Sequence, residues 1–198
     1  MADRQLSDGK STMNQEVARI VFGRMADFSD ALLAELDSIF FGASATQVFD
    51  TPAARAAFRE RWLGSYLKLD KNEVILALTT EDRLAGYLVG SLRDPACDPR
   101  HASLTYFREL APHTCNFPAH LHINVATQHR SMGIGARLIE AFCHHAAARG
   151  APGVHVVTGQ GMRNIGFYLR NGFAELAEAP WNGRTVVMLG RRLPVAPP

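Results

Sequence analysis

The chain has 198 residues, 47% of them hydrophobic and 20% charged, with a formal net charge of +2. That length and balance suit one globular domain with a sizeable core and exclude a disordered chain or a whole-chain polyanion binder. The charge is unevenly placed: residues 120–172 hold five arginines (130, 137, 149, 163 and 170) against one acid, Glu140, a local positive field suited to a small anionic ligand rather than a long nucleic acid.

Residues 1–15 read as a flexible polar leader, with 16–198 as a single domain. The leader carries both charge signs and lacks the apolar stretch of a signal peptide, and no apolar run is long enough to span a bilayer. Cys97, Cys115 and Cys143 follow no metal spacing and are odd in number, so the expectation is reduced thiols in a cytoplasmic protein. No nucleic-acid or membrane partner is expected, and a homodimer is left open.

In chain order, Ala18–Phe22 is a strand candidate, and residues 30–41 place Leu32, Leu33, Leu36, Ile39 and Phe40 at helical spacing. Thr51-Pro52 starts a second helix, which runs through Trp62 to Tyr66. Val74–Thr79 and Leu84–Leu92 form an antiparallel hairpin. Residues 93–118 are irregular, with one or two helical turns at 103–110, and a loop of that length in a compact domain is often functional. His120–Val125 is a strand and Gly133–Arg149 a helix, with Ile134, Leu138, Phe142 and Ala146 on one face. Val154–Thr158 is a second strand, so this strand–helix–strand unit should be parallel and right-handed. A short helix at about 162–171 and a last strand, Arg184–Leu189, complete a mixed α/β domain.

Two motifs carry chemistry. Arg130-Ser131-Met132-Gly133-Ile134-Gly135 lies directly between a strand and a helix, and Ala136 follows it. Its glycines allow close backbone approach, and the unpaired N–H groups of a first helical turn suit a phosphate. Phe167-Tyr168-Leu169-Arg170-Asn171-Gly172-Phe173 follows the second parallel strand. Each alone is explained by a tight turn or an aromatic helix end. Their order and separation are more specific.

Together these motifs, R-x-x-G-x-G and F-Y-x-x-x-G-F, resemble those of the GNAT superfamily of N-acetyltransferases. The resemblance implies a central mixed, mostly antiparallel sheet, a parallel strand pair splayed at the cofactor site, and helices on both faces. It implies acetyl-CoA as cosubstrate, no metal, and a primary amine of a small molecule or peptide as acceptor. By the same resemblance, Ile123 and Val125 pair with the pantetheine arm, and the N–H groups from Arg130 and Ser131 through Met132, Gly133, Ile134 and Gly135 to Ala136 hold the pyrophosphate. An N–H near Asn124 or Val125 faces the thioester oxygen. Phe167 and Asn164 border the cofactor, and Tyr168 is the general acid for the leaving thiolate.

His120, His122 and Asn124 alternate on one strand face, and His120-Leu121-His122 is similar to a His-Leu-His that serotonin-type acetyltransferases use in proton removal. Theirs sits one residue further from the glycine motif, an offset that flips the face unless a bulge restores it. His122 and His120 are therefore candidates for proton relay, with hydrogen-bonded cleft histidines as the alternative. Two further departures leave the proton route open: Val156 stands where many members have glutamate, and Gly161 where many have asparagine, with Asn164 three residues on. A non-catalytic acyl-CoA-binding module and a zinc hydrolase built on His120, His122 and His155 are the competing readings. The dipeptide His144-His145 reads as solvated helix surface.

Overall fold

The structure is a computed structural model and describes residues 17–23 and 28–194, so the leader at 1–15 lies outside the described residues. Strand β1 (Val17–Phe22) is followed by helix α1 (Asp30–Ala43), whose first turn is capped by Ser29: its Oγ accepts from the Leu32 N–H at 3.2 Å. Thr51 caps α2 (Pro52–Arg59) in the same way, with Pro52 at the first helical position. The helix does not stay α-helical to Tyr66. Glu60–Gly64 forms a π-helical turn before α3 (Ser65–Leu69). Such a turn carries an extra residue and re-aims the side chains beyond it. Here it sets Trp62 half-buried and Leu63, Tyr66 and Leu67 buried.

β2 (Ile75–Thr79) and β3 (Leu84–Ser91) form the expected antiparallel hairpin. The 93–118 segment is more ordered than its prolines suggest, with a 3-10 turn at Pro99–His101 and helix α4 (Tyr106–Thr114). Then come β4 (Ala119–Val125), α5 (Ile134–Ala147), β5 (Gly153–Gly159) and α6 (Asn164–Arg170). β7 (Arg184–Arg192) is preceded by β6 (Ala174–Trp181), which the sequence reading left unassigned. β6 is an edge strand carrying Glu175, Glu178 and Pro180 with no clean apolar alternation, which is how edge strands avoid further pairing. The missed signal was Asn182-Gly183. Both residues have positive φ, 50° and 72°, as a two-residue hairpin turn requires.

Among the described residues seven strands form one sheet in the order β1-β2-β3-β4-β5-β7-β6, antiparallel except for β4 beside β5. Each face has its own core. Leu36, Leu63, Tyr66, Tyr87 and Val89 pack under α1–α3. Leu88, Ala119, Leu121, Leu138, Phe142 and Tyr168 pack with α5 and α6. Gly90 allows this second layer to close, because a Cβ there would lie 2.5 Å from the Phe142 ring and 2.7 Å from the His120 carbonyl oxygen. A third cluster joins Tyr106, Phe107 and Leu110 of α4 to Val186 and Met188 of β7.

The histidine dipeptide on α5 is only half surface. His144 is largely exposed, but His145 stacks on Phe22 at 4.8 Å and lies 3.5 Å from Glu73, its side chain 8% accessible. The helix packs against β1 there, so an apparently polar position meets an aromatic ring.

Candidate active site

β4 pairs with β3 without a register shift from Ser91↔His120 to Gly86↔Val125. Its parallel pairing with β5 is far shorter, Ala119↔Val154 and His120↔His155 alone. Beyond that rung β5 continues along β7, and the two parallel strands part. One backbone edge of Leu121–Val125 therefore faces a cleft. An unpaired edge of this kind accepts an extended ligand as an added strand. Ile123 and Val125, expected to offer that edge, pack their side chains toward α5. The Val125 carbonyl accepts from the Arg130 guanidinium at 3.2 Å.

The glycine motif sits where the cleft opens. After a 3-10 turn at Thr127–His129 the chain turns through Ser131 (φ 64°) and Gly133 (φ 77°), and α5 begins at Ile134. Both left-handed residues serve to aim the first turn of α5, whose N–H groups form a positive end. The two glycines do different work. A Cβ at Gly133 would meet nothing within 4 Å, so that glycine is needed for its φ and leaves the space in front open. A Cβ at Gly135 would lie 2.9 Å from the Phe167 ring, so that glycine lets α6 close on α5. Ile134 is buried, Ala136 half-buried, and Arg130, Ser131 and Met132 are exposed.

Tyr168 is buried on α6, its ring edge-on to Phe167 at 5.3 Å and to Phe173 at 5.5 Å. Burial raises its hydroxyl pKa above the usual tyrosine value, which keeps the phenol protonated at neutral pH. Asn164 opens α6, and its Oδ1 accepts from the Thr158 hydroxyl at 3.0 Å, tying α6 to the end of β5. Glu140, the acid among the arginines, is held by Arg191 in a two-pronged pair at 2.7 and 3.1 Å. That pair lowers the Glu140 pKa, and Arg191 also donates to the Asn171 carbonyl at 3.2 Å, joining α5 to α6.

His120, His122 and Asn124 share the sheet face beneath α2 and α3. With no bulge between β3 and β4, the face is set by simple alternation, and nothing in this pairing restores the one-residue offset from the serotonin-type His-Leu-His. Asn124 donates to the Tyr87 hydroxyl at 2.9 Å. His122 meets Trp62 and Tyr66 edge-on, each at 5.3 Å. His120 and His122 are joined by His155 of β5, grouped with them in the sequence only as a zinc-ligand alternative, and by His101 of the 3-10 turn, which no sequence motif marks. His101–His120 ring centroids lie 5.2 Å apart and His120–His155 centroids 5.5 Å. These four rings line a small cavity of about 20 Å³ with Trp62, Tyr66, Leu104, Tyr106 and Phe107. Burial lowers the pKa of all four, with repulsion from neighbouring imidazoles added at His120, His122 and His155; His122 and His155 fall to about 4. His101 is brought in by a buried ionic clamp, in which Asp70 accepts from Ser91 at 2.8 Å and pairs with Arg100, while Arg100 also pairs with Asp98 at 2.7 Å.

Of the aromatic residues on the early helices and variable loops, Trp62, Tyr66, Tyr106 and Phe107 reach this cavity, whereas Phe40, Phe41, Phe49 and Phe58 stack among themselves. A larger cavity of about 360 Å³ lies between α1, the β2–β3 turn and Gln128-His129, and it shares no lining residue with the histidine cavity. Among the described residues no three His, Cys, Asp or Glu side chains are grouped to hold a metal ion, and no helix is long and apolar enough to cross a membrane.

A splayed parallel pair, a glycine turn at the head of the following helix and a tyrosine on the next helix define an acyl-CoA-dependent transferase fold. Residues 33–173 match the family model of the Acetyltransferase (GNAT) family, and the chain belongs to that family. Solved structures with the same fold include SsHAT (22% identity, TM-score 0.67, covering 88% of this chain and 97% of that one). A ribosomal-protein-alanine N-acetyltransferase from Brucella melitensis is 20% identical, with a TM-score of 0.57, covering 89% and 100%. A GNAT superfamily phosphinothricin acetyltransferase from Sinorhizobium meliloti, solved in complex with AcCoA, is 18% identical, with a TM-score of 0.56, covering 91% and 89%.

Proposed function

We propose that this GNAT acetyltransferase transfers the acetyl group of acetyl-CoA directly to a primary amine of a small molecule or peptide, with Tyr168 as general acid. The observation that carries the reading is the cleft that opens one rung beyond His120↔His155, with the α5 N-terminus at its mouth. Acetyl-CoA supplies an activated thioester. The exposed edge of Ile123–Val125 pairs with the pantetheine arm, and N–H groups of Ser131–Ala136 hold the pyrophosphate. The Asn124 or Val125 N–H stabilises the charge that builds on the thioester oxygen.

The flanks of the cleft differ in chemistry. Tyr168 belongs to the α5 side and stays protonated; burial makes it a weaker acid than a free phenol, so it acts by donating to the sulfur as the C–S bond breaks. His120 and His122 belong to the α2–α3 side and stay neutral, able to accept N–H bonds from the amine. Val156 is buried and apolar where many members carry glutamate, so these imidazoles are the acceptors at hand for the amine's proton. Thiol release from acetyl-CoA across an amine panel tests the reading. Release that depends on an amine, with the acetylated amine recovered, is expected; release with no amine partner, or none at all, returns the protein to an acyl-CoA-binding module.

A further inference from the structure

We propose that the Nε2 atoms of His101, His120 and His155 form the seat of the acceptor's amino group, that the group enters uncharged, and that the acceptor is a weakly basic amine of the aromatic-amine class. This rests on the acetyl-transfer reading above.

Among the described residues none of the three Nε2 atoms has a hydrogen-bond partner, and all three belong to side chains at least nine-tenths buried. Unsatisfied buried nitrogens are uncommon, and three in one cluster point to a ligand. The tautomers say which kind. His120 Nδ1 faces the Pro118 carbonyl at 3.4 Å and His155 Nδ1 faces the Phe117 carbonyl. A carbonyl only accepts, so each Nδ1 carries the hydrogen and each Nε2 offers a bare lone pair. The partner missing at His120 and His155 is therefore a donor.

Its size and charge follow from the walls. A space of about 20 Å³ holds a water-sized group such as –NH₂, and no aromatic ring. Among the described residues its lining contains no Asp, Glu, Lys or Arg, so an ammonium there would lack a counter-ion. The charged groups facing the cluster from behind are Asp70, Asp98, Arg93 and Arg100 around His101, and Asp94 near His155. Both Asp70 and Asp98 are paired to arginines. Burial keeps the imidazoles neutral, so they orient N–H groups and do not draw a proton from an alkylammonium. The walls are otherwise aromatic: Trp62, Tyr66, Tyr106 and Phe107 line the cavity, and Trp181 stands edge-on to Trp62 and Tyr106.

The step balances without a strong base. The neutral nitrogen attacks the thioester carbon, the C–N bond forms, and the nitrogen becomes positive and far more acidic. A low-pKa imidazole now accepts its proton, the C–S bond breaks, and the thiolate takes a proton from Tyr168, which is later restored from the imidazole. An aromatic amine arrives mostly uncharged at pH 7. An alkylamine with pKa about 10.4 is uncharged in only about one molecule in 2,500.

Two arms test this on the full chain. In long-range ¹H–¹⁵N spectra of ¹⁵N-histidine protein, His120 and His155 should carry hydrogen on Nδ1. Aniline should shift the Nε2 resonances of all three histidines, and methylammonium chloride should not. An Nε2–H tautomer, a preference for methylammonium, or no shift with either overturns the seat whether or not the protein turns over. In the kinetic arm, kcat/KM for aniline should be flat from pH 6.5 to 9, and that for an alkylamine should rise about tenfold per pH unit with its uncharged fraction. His155→Asn keeps a donor for the Phe117 carbonyl and deletes the lone pair. It should lower kcat/KM for aniline at least about tenfold, with the acetyl-CoA thermal shift unchanged. Efficient, pH-independent use of alkylamines overturns this proposal and leaves acetyl transfer standing. No transfer to any amine defeats the transfer reading, and the spectra still decide the seat.

Discussion

His120 and His155 stand opposite each other on the last rung where the parallel strands still pair, with their ring centroids 5.5 Å apart. The strands part immediately beyond, so this imidazole pair forms the floor of the cleft. Each ring is fixed through Nδ1 by a carbonyl from Phe117 or Pro118, in the turn that leads into β4. One short stretch of chain therefore sets both the geometry of the splay and the hydrogen-bonding character of its floor.

The buried imidazoles make stability pH-dependent. Their folded pKa values lie below the ordinary 6.5, at about 4 for His122 and His155. Unfolded histidines bind protons that the folded ones refuse. Stability should be full above pH 6.5, fall as the pH drops from 6.5 toward 4, and level off once the folded rings also protonate. Each unit of difference is worth about 1.4 kcal/mol. Urea midpoints across this range should drop steeply; a flat profile would mean that the rings are solvated.

Acetyl-CoA should raise the melting temperature, by about 2.7 kcal/mol of added stability at a hundredfold excess over its dissociation constant. Gly133 tests where the pyrophosphate sits. Its Cβ position is open but its φ is 77°, a conformation Asn and Asp tolerate better than most residues. Gly133→Asp and Gly133→Asn should fold alike, and Asp should bind acetyl-CoA at least about tenfold more weakly, because only its charge opposes the phosphate. Equal affinities would move the phosphate site elsewhere.

Asp70 holds the loop that delivers His101. It is 6% exposed, accepts from Ser91 and pairs with Arg100. Asp70→Asn should cost about 2 kcal/mol, since a buried charge-assisted bond is weakened while Arg100 keeps Asp98. Hydrogen exchange at the 100–104 amides should speed up. Unchanged protection would mean that α4 packing alone fixes the loop.

The glycine turn, the strand–helix–strand unit and the β2–β3 hairpin were legible because each is written in one continuous stretch with a strong local signal. The face shared by His120, His122 and Asn124 followed from alternation alone. The rest depends on distant pairing. His101 carries no sequence signal and His155 only the loose one of a third histidine near a strand; the sheet register and the Asp70–Arg100 clamp bring them to His120. The π turn at Glu60–Gly64 has no marker in a run that is helical on either side. β6 hides its strand character behind two glutamates and a proline, although Asn182-Gly183 announces the hairpin.

The measurement that bears most directly on direct transfer with Tyr168 as acid is the turnover of Tyr168→Phe. The ring is kept, so packing among Phe167 and Phe173 and the affinity for acetyl-CoA should stay close to wild type. Turnover should fall on the order of 10²–10⁴-fold, and the loss should shrink with a thioester whose thiol has a lower pKa and leaves unaided. A folded Tyr168→Phe protein with full turnover, or a loss independent of the leaving group, would contradict the account.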